Sequence, residues 1–180
     1  MPIGRNVNNH LLLILRRVKS GAMIFEYEKR ISSTDEGTSV RQYIVEKIEA
    51  IKQEEPRITE YAVFGVMLAM EEALVNAIKH GNQMDPKKTV LVRCSITRDL
   101  LIIILIADQG VGFKPEEVPD PTDDENLERP CGRGVQLMRA FMKEVTYLSF
   151  YDGEQVPEGS VVEMTQDLTH QRTEELIQQD

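Results

Sequence analysis

Cysteine is scarce in this chain of 180 residues: Cys94 and Cys131 are the only two, and their spacing fits neither a metal motif nor a redox CxxC pair. A disulfide framework is therefore excluded, and both side chains read as reduced thiols. Long apolar runs are missing as well. The stretch Leu11 to Leu15 meets Arg16 and Arg17 at once, too short to span a bilayer and without a signal-peptide cleavage region. The sequence accordingly reads as cytoplasmic, with no membrane partner. Cations are in deficit, 21 Lys and Arg against 30 Asp and Glu, for a formal net charge of −9. General nucleic-acid binding draws its affinity from cations on phosphates, so direct nucleic-acid contact is excluded and a small ligand or a protein partner is favoured. Any nucleotide phosphate must then be held locally, by backbone N–H groups, a metal ion or a few placed cations.

Low-complexity tracts are absent too, and 41% hydrophobic with 28% charged residues is the composition of a globular chain long enough to close one core. Residues 1–22 fit the rest poorly and read as an N-terminal extension of uncertain status, with Met23 an alternative start. From Met23, MIFEYEKRIS alternates like a strand. Ser32, Ser33, Thr34 and Asp35 are N-cap candidates for a helix with apolar positions Val40, Ile44, Ile48 and Ile51. Pro56 breaks that pattern. A second helix runs from about Ile58 to Ile78 and ends at Gly81, apolar nearly all round in its first half and so buried on most sides.

Two β runs follow, Thr89 to Thr97 and Leu100 to Ala107, joined by a tight turn at Arg98 and Asp99; the second, LLIIILIA, reads as a central strand. Between Gly112 and Gly132, Pro115, Pro119, Pro121 and Pro130 punctuate an acidic stretch without apolar periodicity. A loop of that length in a compact domain usually serves as a lid or a binding loop. A third helix from about Val135 to Lys143 and strands near Val145 to Tyr151 and Ser160 to Asp167 complete the chain, leaving a polar tail at 169–180. The order β, α, α, β, β, loop, α, β, β predicts an α+β fold. It would be a two-layer sandwich of a mixed, mostly antiparallel sheet with three helices on one face.

Three segments carry chemistry. EEALVNAIKHG sets Glu72 and Asn76 four residues apart, about 40° around a helix, so both project from one face together with the stripe of Tyr61, Gly65 and Leu68. Asn76 offers a neutral oxygen suited to a Mg²⁺ ion that takes its other ligands from water and phosphates, and Glu72 could polarise a water or hydroxyl beside it. ADQGVGF closes a strand with Asp108, able to accept a hydrogen bond from an exocyclic amine, followed by Gly110 and Gly112, which permit close backbone approach. CGRGVQLM frames Arg133 with Gly132 and Gly134 before a helix, whose free N–H groups suit an anion. Each segment alone also has an ordinary explanation, as solvated helix face, tight turn or hinge.

In this order, ExxxNAxxHG, DxGxG, lid-like loop and GxGxxLM, they resemble the GHKL superfamily of ATP-binding domains, with the histidine-kinase-like (Bergerat) ATPase fold, over about residues 23–168. EEALVNAIKHGN, DQGVGF, GRGVQLM and GSVVEM look most like bacterial anti-sigma-factor serine/threonine kinases. The resemblance implies Glu72 as general base and Asn76 as Mg²⁺ ligand. It implies Asp108 as the adenine-binding Asp with Gly110 and Gly112, and Gly132, Arg133, Gly134 and Val135 as the phosphate-side loop. Residues 113–131 become the ATP lid, Ser160 a neighbour of adenine, and His80 a residue near the phosphates.

It further implies ATP and Mg²⁺ as cofactors, a sigma factor and a STAS-domain anti-anti-sigma factor as partners, and a homodimer. Of the histidines His10, His80 and His170, none lies on a dimerising hairpin as a histidine kinase would need, and the residues after Leu168 leave no room for the transducer domain of the large ATPases. The expected activity is phosphoryl transfer from ATP to the STAS protein. The alternative is an ATP-binding anti-sigma module with little or no kinase activity.

Overall fold

The computed structural model describes residues 23–110, 133–151 and 157–171. Five strands form one sheet in the order β1-β2-β3-β5-β4: β1 (Met23–Ile31), β2 (Val90–Thr97), β3 (Leu101–Ala107), β4 (Glu144–Tyr151) and β5 (Pro157–Asp167). The expected α+β architecture is present. All four pairings are antiparallel, so the parallel component allowed for in a mixed sheet is not found among the described strands. β3 is central, as LIIILIA suggested, because an unbroken run of branched apolar side chains can be accommodated only where both strand edges and the inner face are covered. Its neighbours set the register Val92 to Ile106 and Ile104 to Met164.

Helix α1 (Thr34–Glu54) starts at Ser33, whose hydroxyl accepts the Glu36 N–H at 3.3 Å, while the Glu36 carboxylate accepts the Ser32 N–H at 2.7 Å. This reciprocal arrangement satisfies donors that the first helical turn leaves free. Gly37, Val40, Ile44 and Ile48 form its buried stripe. Helix α2 (Glu60–Val75) is capped by Thr59, which accepts the Ala62 N–H at 3.1 Å. Its buried set, from Ala62 to Leu74, includes positions on several sides, as expected for a helix packed between α1 and a third helix, α3 (Arg133–Phe141). Glu60–Gly81 is long and apolar enough by composition to cross a membrane, but its Val66, Ala69 and Met70 are fully buried in the core. Side chains the size of Val66 and Met70 each contribute about 2 kcal/mol when withdrawn from water, and the methyl of Ala69 about 0.8 kcal/mol.

The core lies between this helical layer and the sheet face formed by Val90, Val92, Cys94, Ile96, Ile102, Ile104, Ile106, Val162 and Met164. The start of the polar tail is fixed rather than frayed. The Thr59 N–H donates to the Leu168 carbonyl at 2.9 Å, the Thr59 hydroxyl donates to the His170 carbonyl, and the His170 ring rests 5.8 Å from that of Tyr61.

Candidate nucleotide site

The helix bearing Glu72 and Asn76 does not stay α-helical. From Asn76 to Gly81 it widens into a π-helical turn, so the 3.6-residue stripe read from the sequence holds as far as Glu72 and is re-aimed at Asn76. Single π turns inside helices mark places where a side chain is redirected, often at functional sites. Asn76 is half-buried, and among the described residues its side-chain amide makes no hydrogen bond.

The stripe Tyr61, Gly65, Glu72 faces α3, which runs antiparallel to α2. Tyr61 and Phe64 meet Phe141 at ring distances of 5.7 and 5.9 Å, and a β-carbon on Gly65 would lie 3.1 Å from Phe141. At the other end, a β-carbon on Gly134 would lie 2.4 Å from Oε2 of Glu72. The glycine therefore admits the carboxylate to the first turn of α3, where Arg133, Gly134 and Val135 carry N–H groups that lack partners within the helix. The Val135 side chain turns into the core, 7% exposed, which leaves its backbone N–H as the group it has to offer at the helix start.

A second close approach builds the other end of the site. Asp108 follows β3. Its N–H donates to the Ser160 carbonyl at 2.9 Å, and its Oδ1 accepts the N–H groups of Gly110 at 2.7 Å and Ser160 at 3.3 Å. Among the described residues no main-chain N–H reaches Oδ2, while the Ser160 hydroxyl adds a side-chain hydrogen bond to the carboxylate. Burial pushes the Asp108 carboxyl above the usual carboxylate range, opposed by the donors on Gly110 and Ser160 and by the charge of Lys88. A β-carbon on Gly81 would lie 2.6 Å from the Asp108 carboxyl carbon, and one on Gly110 would lie 2.2 Å from the Gly81 carbonyl oxygen. Backbone meets backbone there, which only glycine allows. Ser160 is 5% exposed and is held against Asp108 by the hydrogen bonds between them. His80 is exposed on the last turn of the π segment. Gly112, Gly132, Cys131 and the proposed lid at 113–131 lie outside the described residues, as does the Arg133 side chain.

Three residues that the sequence did not single out complete the turn. Asn82, 4% exposed, accepts the Gln109 N–H on Oδ1 at 2.8 Å, and Gln109 Oε1 accepts the Thr89 N–H at 2.7 Å and its hydroxyl at 3.2 Å. To present Asn82 in this way the chain leaves the helix through two consecutive left-handed residues, Gln83 (φ 55) and Met84 (φ 58), neither of them glycine. That conformation costs about 1–2 kcal/mol per residue. The sequence signal for these residues is slight, amounting to amide side chains placed immediately after Gly81 and Asp108.

The ion pair of Arg41 with Glu71, at 2.7 Å, ties α1 to the site helix. Partly exposed, it is worth about 1 kcal/mol or less and does not decide where Glu72 sits.

One helical segment thus joins two centres. Its start, Glu72, touches the first turn of α3, and its end, Gly81, touches the Asp108 turn about 13 Å further along. The first turn of a helix at one end and a buried carboxylate at the other bound the candidate site. The chain belongs to the histidine kinase-like ATPase domain family, whose profile matches residues 32–166.

It is similar to the anti-sigma F factor of Clostridium perfringens, 36% identical over 105 residues, which is 57% of this chain and 72% of that protein. The anti-sigma F factor of Oceanobacillus iheyensis is 34% identical over 112 residues, 60% of this chain and 71% of that one. Among solved structures, the mycobacterial sensor histidine kinase MprB aligns with a TM-score of 0.46 at 16% identity, over 78% of this chain and 97% of that chain.

Proposed function

We propose that this chain is a Mg²⁺-ATP-dependent serine/threonine kinase that also acts as an anti-sigma factor in the cytoplasm. In this reading it holds a sigma factor and phosphorylates a STAS-domain anti-anti-sigma factor, as a homodimer. The observation that carries the catalytic part is the seating of the Glu72 carboxylate against Gly134, at the helix start that would face the phosphates. The sigma-factor part is supported by the name that relatives at 34–36% identity bear.

Asp108 would accept a hydrogen bond from the adenine amine on Oδ2, which no main-chain N–H among the described residues reaches. The N–H groups at the start of α3 would take phosphate oxygens. The donor set fits a Mg²⁺ ion held chiefly by the nucleotide: among the described residues no cluster of three or more His, Cys, Asp or Glu occurs, and the half-buried Asn76 offers a neutral carbonyl oxygen. The ion would neutralise charge developing on the transferred group. The acceptor hydroxyl oxygen forms the new bond to the γ-phosphorus as the bond from that phosphorus to the β,γ-bridging oxygen breaks, ADP leaves, and Glu72 takes the hydroxyl proton. Val135, Gly110, Gly112 and Gly132 would shape the backbone around the nucleotide, with Ser160 beside the base and His80 and Arg133 on the phosphate side.

Incubation with labelled ATP, Mg²⁺ and STAS-domain proteins tests this. Wild type should label a STAS protein, and Glu72→Ala should keep ATP affinity while transfer falls by roughly 10²–10⁴-fold. Unchanged transfer in Glu72→Ala would remove Glu72 from the mechanism. A second reading has the relatives' name in its favour, since that name speaks of sigma factors and not of phosphoryl transfer. Wild-type protein that retains a sigma factor with ATP yet labels no STAS protein would establish an ATP-binding anti-sigma module instead.

A further inference from the structure

The turn that presents Asp108 is held from two sides. On one side the β3–β5 ladder runs on through Ser160, which exchanges hydrogen bonds with Asp108. On the other side the β2–β3 main-chain pairing stops at Leu91 and Ala107. Beyond it, the Gln109 side chain takes over by accepting the Thr89 N–H and hydroxyl. The Gln109 main-chain N–H is then free of the sheet and donates to Asn82 Oδ1. Asn82 is itself fixed, because its N–H donates to the Ala77 carbonyl at 2.8 Å and the following Met84 N–H donates to the Ile78 carbonyl at 3.0 Å.

Asn82 and Gln109 therefore connect the exit of the π segment, the start of β2 and the residue next to Asp108. Neither is needed to satisfy Asp108 itself, whose Oδ1 is served by Gly110 and Ser160. What they fix is the path of the backbone at Gln109, and so the direction in which Oδ2 is offered. A carboxylate that selects a base by one hydrogen bond depends on that direction, since the bond weakens steeply with misalignment.

We infer that Asn82 and Gln109 are positioning residues for nucleobase selection, holding the Asp108 turn so that its carboxylate distinguishes a purine carrying an exocyclic amine from one without. The inference rests on the adenine reading of Asp108. Its test compares the affinities of ATP and purine riboside triphosphate, which lacks the amine, in wild type, Asn82→Leu, Asn82→Asp, Gln109→Met and Asp108→Ala.

Wild type should prefer ATP, and Asp108→Ala should abolish the preference. Asn82→Leu and Gln109→Met should each lose about tenfold in ATP affinity. Purine riboside triphosphate should bind them as it binds wild type. Asn82→Asp, which keeps an oxygen acceptor for the Gln109 N–H, should restore most of the preference. Gln109→Met keeps the length of the side chain and serves if Asn82→Leu does not fold. Equal weakening of both nucleotides, or an undiminished preference in Asn82→Leu and Gln109→Met, would overturn the positioning role. A wild type without preference would instead strike the adenine reading, and the inference would fall with it.

Discussion

Oε2 of Glu72 lies where a β-carbon on Gly134 would have to be, 2.4 Å from that position. Gly134→Ala therefore forces either the carboxylate or the first turn of α3 to move. The atom met is the far end of a flexible side chain, so the carboxylate is the group that yields, at little cost in stability. The expected result is a folded protein with near wild-type stability in urea and a phosphotransfer rate at least roughly tenfold lower, with a smaller change in ATP affinity. Gly134→Ala with wild-type transfer would show that the contact has no catalytic consequence.

Asp108 gives stability an unusual pH dependence. Its carboxyl is raised in the folded protein above the ordinary value of 3.8, so the folded state binds more protons than the unfolded one between those two points. The contribution of Asp108 is fully present below the ordinary value and is lost as pH rises through the raised one. Glu36 and Asp167 are lowered by hydrogen bonds from Ser32 and Thr169 and act in the opposite sense. Urea midpoints of wild type and Asp108→Asn across acidic pH isolate the Asp108 part. The wild type should lose stability relative to the variant as pH rises through this window, and a constant difference would refute the assignment.

Cys94 lies on the inner face of the sheet, 0% exposed, and burial pushes its thiol up to about 12. Thiolate is the reactive form, so alkylation at pH 8 should be negligible in the native state and should appear only as urea unfolds the protein. Peptide mass spectrometry after iodoacetamide treatment reads Cys94 separately from Cys131. Labelling of native protein at the rate of a free thiol would contradict the burial.

Much of the framework was legible in the chain because it follows from local rules. The first helix announces itself through the cap candidates Ser32 to Asp35, of which Ser33 is the cap, and through the spacing of Val40, Ile44 and Ile48. The strand ending at Ala107 is equally plain. Boundaries moved where tertiary contacts intervened. The second helix begins at Glu60, held by Thr59, and the third helix begins at Arg133, where the sequence suggested Val135. The stripe of Tyr61, Gly65 and Glu72 was visible as a face, but nothing in the spacing said that α3 would cover it.

The sequence by itself determined the element order, the burial pattern and the presence of carboxylate, amide and glycines at ligand-binding spacings. Periodicity, capping and turn chemistry act over a few residues and leave their mark in the residues themselves. Tertiary structure decided the rest. It made Gly134 the space for Glu72 and Gly81 the space for Asp108, turned the helix at Asn76 into a π turn, and brought Asn82 to Gln109 across 27 positions of chain. These contacts depend on which segments pack together, a choice that close packing of the whole core makes and that local pattern does not record.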